Sequence, residues 1–222
     1  MLEHHAASAD APPRADPWLY IAEMEHRVAN EYALAVASIS LAAARSSDAE
    51  VKATLGGAAQ RLRDHANVHR TLQAPLEPGP MDLSVYLRGL LDALARASLS
   101  ERGVSLTLIA QPVDIDAQRC WRVGLIVSEL VTNAVRHGYR GGSGAIAVEV
   151  ATSAGQVQCR VRDDGRPVLA PTAGAGTHLV DAFAEELGGF VERQFRRDGT
   201  AVLLSFPEFA HSAHRAASLG AR

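Results

Sequence analysis

The sequence predicts an α+β protein, a helical hairpin followed by a mixed layer of helices and strands. Three observations carry that expectation. Two apolar stripes of helical period lie between Asp16 and Leu72, separated by one short break. Pro75, Pro78, Gly79 and Pro80 then close the helical region. Beyond them, runs that alternate apolar and polar residues interleave with three further helical stretches. The 222 residues are 47% apolar and 21% charged, with a net charge of −3, so most of the chain can fold. That charge leaves no basic footprint for nucleic acid. No run of about 18 uninterrupted apolar residues is present to insert into a membrane.

Residues 1–16, rich in Ala, Asp and Pro, read as a flexible lead, with His4 and His5 as solvated tail residues. Asp16-Pro17 is a helix start, an acid at the cap followed by proline at the first helical position. Ile21, Met24, Val28, Ala35, Ile39 and Ala42 then repeat at helical spacing as far as Arg45. Ser47-Asp48-Ala49-Glu50 reads as a capping box that opens a second helix, with Val51, Leu55, Ala58, Leu62, Ala66, His69 and Leu72 as its stripe. Two helices over residues 17–74 joined this closely form an antiparallel hairpin, which cannot bury both stripes alone. A homodimer through the hairpin, giving a four-helix bundle, is the physical expectation. His26 falls off the first stripe and is expected to face solvent, whereas His65 and His69 fall near the packing seam.

Residues 75–82 read as a linker. Leu83 to Leu99 follows as a helix, and Val104 to Leu108 as a strand. A long helix then runs from its cap Asp116 to its stop at Gly138. Val123, Val127, Leu130, Val131 and Ala134 gather on one side of it. Glu129, Asn133 and His137, spaced i, i+4 and i+8, gather on nearly the opposite side. A carboxylate, an amide and an imidazole together can hold a metal ion and steer a proton. Ile146 to Val150 and Val157 to Val161 alternate around a Ser-Ala-Gly turn, a β-hairpin that runs into Asp163-Asp164-Gly165. Pro167 to Ala175 reads as a lid. Gly174 and Gly176 open a helix that Gly188-Gly189 closes, and glycines before a helix start suit phosphate binding. A last hairpin pairs Phe190 to Arg196 with Thr200 to Phe206, leaving 208–222 as a loose tail. Cys120 and Cys159 read as buried, reduced thiols of a cytosolic protein.

The spelling Glu129-Leu130-Val131-Thr132-Asn133-Ala134 with His137 resembles the N-box of the GHKL ATPases, in particular of two-component histidine kinases. His26-Arg27-Val28-Ala29-Asn30 resembles the phosphoacceptor box of the subfamily related to the HWE kinases. Asn67-Val68-His69-Arg70-Thr71-Leu72 resembles the ending of that subfamily's second helix. Asp163-x-Gly165 resembles the G1 box, and Gly174-x-Gly176 the G2 box. The resemblance implies a dimeric phosphotransfer hairpin followed by a GHKL-type α/β sandwich over residues 83–207 that binds ATP. On it, Asn133 coordinates magnesium (Mg2+), Asp163 accepts from the adenine amine, Gly165 leaves room for the base and Thr200 touches the adenine pocket. Glu129 handles a proton or aligns the attacking group, and His137 touches phosphate or caps its helix. His26 takes the γ-phosphoryl group and passes it to an aspartate of a response-regulator receiver domain.

Some features depart from the pattern. Arg166-Pro167 follows Gly165 where the family continues with a second glycine, the W-x-E signature is absent, and Arg27 stands where classical kinases place an acid. No sensor domain is expected ahead of the hairpin, so input comes from the lead or from a separate sensor protein. Two other readings stay open: a histidine phosphotransfer adaptor with a degenerate ATP site, and a GHKL serine kinase of the anti-sigma type.

Overall fold

The computed structural model describes residues 17–75, 77–99, 102–139, 142–166 and 174–209. The expected lead, the lid residues 167–173 and the tail beyond 209 lie outside the described residues. Helices α1 (Pro17–Arg45) and α2 (Ala49–Thr71) form the hairpin. The cap of α2 is Asp48, not Ser47: its carboxylate accepts from the N–H groups of Glu50 (2.8 Å) and Val51 (3.3 Å). An anion there answers the positive end of the helix better than a hydroxyl does. His65 and His69 are both exposed rather than seated in a seam, and the His69 ring meets Tyr32 at 5.7 Å.

The expected linker is not all linker. Its last residues form strand β1 (Pro80–Asp82), which pairs antiparallel with β3 (Asp114–Asp116), a strand the sequence pattern did not reveal. Asp82 also caps α3 (Leu83–Leu94), accepting from Ser84 and Val85. The helix continues through a π-turn, Ala95–Leu99, so the run predicted to Leu99 is helical but changes its winding. Strand β2 (Val104–Ala110) follows, and after β3 comes α4 (Ala117–Asn133), capped by Asp116 as predicted. It too ends in a π-turn, Ala134–Gly138.

Strands β4 (Gly144–Ser153) and β5 (Gln156–Asp163) form the expected hairpin. Its turn puts Ala154 and Gly155 at φ 51° and 73°, the twist that a two-residue hairpin needs. Helix α5 (Ala175–Glu186), β6 (Phe190–Arg196) and β7 (Gly199–Pro207) complete the chain. The five-stranded sheet has the order β2-β4-β5-β7-β6, with β2 and β4 parallel and the other neighbours antiparallel. Ile146, Val148, Val157, Cys159, Leu204 and Phe206 point from one face of the sheet into a core closed by Leu87 and Leu90 of α3, Val123 and Val127 of α4 and Val180 of α5. Cys120 and Cys159 are buried free thiols, and burial pushes both up to about 12. The expected tail is tied at its first residue: Glu208 N–H donates to Gly155 O, and Arg119 of α4 donates to the carbonyls of Pro207 and Glu208. Among the described residues no helix is long and apolar enough to cross a membrane.

The hairpin meets the sandwich at the end of α2. Tyr86 of α3 donates to Thr71 O (3.3 Å), and from α4 Trp121 donates to Leu72 O (2.8 Å) and Gln118 to Pro75 O (3.0 Å). These side chains satisfy carbonyls that a helix end leaves open.

Candidate active site

Helix α4 presents Glu129 and Asn133 one turn apart, and Asn133 Nδ2 donates to Glu129 Oε1 at 2.8 Å. Both are half-buried. The π-turn that follows keeps Arg136 and His137 on the wall of the same cleft. Facing them is the start of α5, whose cap Gly174 offers no side-chain acceptor. The Thr177 N–H turns back to Gly174 O at 3.0 Å, and the Ala175 and Gly176 N–H groups have no side-chain partner from the cap, a setting that suits an anion. Gly176 lies directly against the Glu129 side chain. A Cβ there would fall 1.8 Å from Glu129 Oε1.

The far end of the cleft is built on β5 and β7. Asp163 accepts from the Gly165 N–H (2.9 Å) and from both the backbone N–H and the hydroxyl of Thr200, its register partner. Burial nevertheless raises its pKa, because desolvation outweighs these donors. Its neighbour Asp164 is lowered instead, by the Ala145 N–H (2.8 Å) and the Tyr139 hydroxyl (2.7 Å). Gly165 packs on Gly138, so closely that a Cβ would sit 2.7 Å from the Gly138 Cα. The departure after Gly165 is accommodated: the Arg166 N–H donates to Gly138 O at 3.1 Å.

The cleft measures about 480 Å³ and is lined by Glu129, Asn133, His137, Gly174, Gly176 and Thr200, six of the residues singled out in the sequence. Asp163 reaches it through Thr200, and Gly165 stands behind Asp163. His26 is exposed on α1 and does not line the cleft. It lies about two turns before Tyr32, which touches His69 near the end of α2. That is the end of the hairpin held against α3 and α4. Arg27 pairs back to Glu23 (2.9 Å). Sequence reasoning missed Arg136, Thr177, Arg193 and Phe195 on the cleft wall. The alternation of β6 holds the signal for two of them, since Val191, Arg193 and Phe195 share one face. A second groove of about 390 Å³ runs along the hairpin past Tyr32, Asn67, His69 and Arg70, without a glycine-lined helix start.

Among the described residues no three His, Cys, Asp or Glu side chains gather to hold a metal ion by themselves. The Glu129 carboxylate and the Asn133 amide oxygen are two hard donors, a set that suits magnesium when phosphate oxygens and water supply the other ligands.

A family model described as "Histidine kinase-like ATPase domain" matches residues 87–206, and one described as "Histidine kinase" matches residues 23–98. The chain is 26% identical over 196 residues to the sensor histidine kinase PdtaS of Mycobacterium tuberculosis, covering 84% of this chain and 39% of that protein. It is 26% identical over 195 residues to blue-light-activated histidine kinase 2 of Erythrobacter litoralis, covering 83% and 55% respectively. The chain thus spans about two-fifths to just over half the length of these curated relatives. Among solved structures, the histidine kinase domain of the Erythrobacter litoralis EL346 blue-light activated histidine kinase superposes with a TM-score of 0.56 at 20% identity. That match covers 80% of this chain and 95% of that one, a likeness of fold.

Proposed function

The chain belongs to the histidine kinase-like ATPase domain family, and on that premise we propose that it is an ATP-dependent protein histidine kinase that phosphorylates His26. The observation that carries the reading is the single cleft that joins Glu129 and Asn133, a glycine-lined helix start and the Thr200–Asp163 pair. A nucleoside triphosphate has matching ends. Its base would meet Asp163 and Thr200, with Asp163 accepting from the exocyclic amine of adenine and Gly165 leaving space beside it. Its phosphates would meet Gly174, Gly176 and the first turn of α5, with His137 beside them.

Magnesium, when bound, offsets the charge of the phosphates. Asn133 fits its coordination, because an amide with its nitrogen turned to Glu129 keeps its oxygen for a cation. A neutral imidazole nitrogen of His26 attacks the γ-phosphorus in line. The new N–P bond forms as the bond to the bridging oxygen breaks and ADP leaves. Glu129 then takes the imidazole proton or aligns the attacking group. The phosphoryl group passes from His26 to an aspartate carboxylate on a response-regulator receiver domain docked on the hairpin, one step of a phosphorelay. The same reading makes the hairpin a homodimerisation element, gives the chain a cytoplasmic place and lets a separate sensor protein supply the input.

Incubation of the full chain and His26→Ala with γ-labelled ATP and magnesium tests this. Acid-labile label on the wild type alone is the expected result. Acid-stable label that survives His26→Ala would sink the proposal, and so would no label together with no nucleotide binding.

A further inference from the structure

The reading above assigns the phosphates and the edge of the base but leaves the flat face of the base without a named partner. On strand β6, Val191, Arg193 and Phe195 share the inward face, opposite Leu204, Val202 and Thr200 of β7. They meet different fates. Val191 packs against the core, and Arg193 turns to Asp181 of α5 at 2.8 Å. Phe195 stands past the cover of α5, 47% exposed, on the wall of the cleft. A large aromatic side chain left half open inside a concave site retains an unfilled apolar face. Its strand partner is Thr200, the residue bonded to Asp163. Val161 and Val202 line the sheet side beside it, and Leu130 and Ala134 of α4 line the opposite wall. The result is an apolar slot with a half-buried carboxylate at one end and a glycine-lined helix start at the other.

We propose that Phe195 is the base-stacking residue of this site, its ring covering a face of the purine while Asp163 and Thr200 read its edge. The inference rests on the assignment of the cleft to ATP. It adds a specificity residue that none of the glycine or N-box motifs contains. An aromatic ring is the right group here, because it offers a flat apolar surface to a flat heterocycle and asks for no hydrogen bond. Stacking of this kind acts on the base alone, so its loss spares the phosphate contacts.

The test titrates the full chain, in magnesium, with a non-hydrolysable ATP analogue, and measures inorganic tripolyphosphate by its displacement of a fluorescent nucleotide. Phe195→Leu, which keeps apolar bulk without the ring, is expected to weaken the analogue ~10-fold and Phe195→Ala ~30-fold, the range of base–aromatic stacking. Tripolyphosphate binding is expected to stay within about twofold, since it has no base to stack. Phe195→Tyr is expected to restore wild-type binding of the analogue. Unchanged analogue binding in Phe195→Leu and Phe195→Ala would overturn the inference alone. Equal loss of analogue and tripolyphosphate would do the same, because the ring would then only be holding the β6–β7 turn in place. A wild type that binds no analogue would overturn the ATP reading and this inference together.

Discussion

The hairpin and the sandwich are built to different degrees of completion. In the sandwich, Leu83, Leu87, Leu90, Ile146 and Phe206 are wholly buried, and strands and helices share one core. In the hairpin the only buried side chains among the described residues are Ala43 and Ala59, while Met24 and Leu34 are 62% and 64% exposed. The two helices touch each other, yet Met24, Leu34, Leu41 and Val51 face outward. A domain that closes its own core is a platform on which a site can be held to a few tenths of an ångström. A hairpin that leaves apolar groups open awaits another surface, and His26 is exposed on its first helix.

Substitutions test the contrast, most strongly in the sandwich. Leu90→Ala should lose about 3 kcal/mol of unfolding free energy, the usual result of emptying a closed core, at every protein concentration in a urea titration. Leu34→Asp with Leu41→Asp should leave that transition in place and abolish self-association in sedimentation velocity. A monomeric wild type would break the comparison. Next in size is Gly176→Ala. The new methyl must displace the Glu129 carboxylate or the start of α5, so nucleotide affinity should fall at least ~10-fold by calorimetry with little change in melting. Trp121→Phe removes the donor to Leu72 O and should cost about 1 kcal/mol, read as faster hydrogen exchange at the end of α2.

The smallest effect separates two adjacent acids. Asp163 is raised in the folded chain, so its contribution is fully present below its unfolded pKa and is lost as pH rises through the folded value. Asp164 is lowered, so its contribution is present above its unfolded pKa and is lost as pH falls through the folded value. Unfolding measured from acid to neutral pH should therefore show opposite changes in slope for Asp163→Asn and Asp164→Asn. Slopes that change in the same direction would show that burial does not outweigh the donors at Asp163.

Most of the element order is legible in the sequence because α1, α2, α4 and the β4–β5 hairpin have clean periods and clear stops. The β1–β3 pair is not, since three residues of Pro-Met-Asp against Asp-Ile-Asp carry no usable alternation. The π-turns after α3 and α4 are hidden for another reason. One wider turn shifts the apolar pattern too little to tell from α-helix, although it decides where Arg136 and His137 sit. Glu129, Asn133, Gly174 and Gly176 are legible through their spelling. The close approach at Gly176 comes from a carboxylate almost fifty positions away, which local pattern cannot supply. Phe195 looked like one more strand residue because its exposure depends on where α5 begins. The exposed His69 shows the converse error, a stripe position that meets the Tyr32 ring and stays open to solvent.

The order of the sheet has a consequence for synthesis. Strand β7 is the last to be made, yet it lies between β5 and β6 and pairs with both along most of its length. Until it leaves the ribosome, β5 presents a bare edge and β6 has no strand to join. Such an edge is open to any extended segment nearby. The nascent chain therefore passes through an interval in which the other four strands of the sheet have emerged but the sheet is still split, and Thr200, which ties β7 to Asp163, arrives with the piece that closes it.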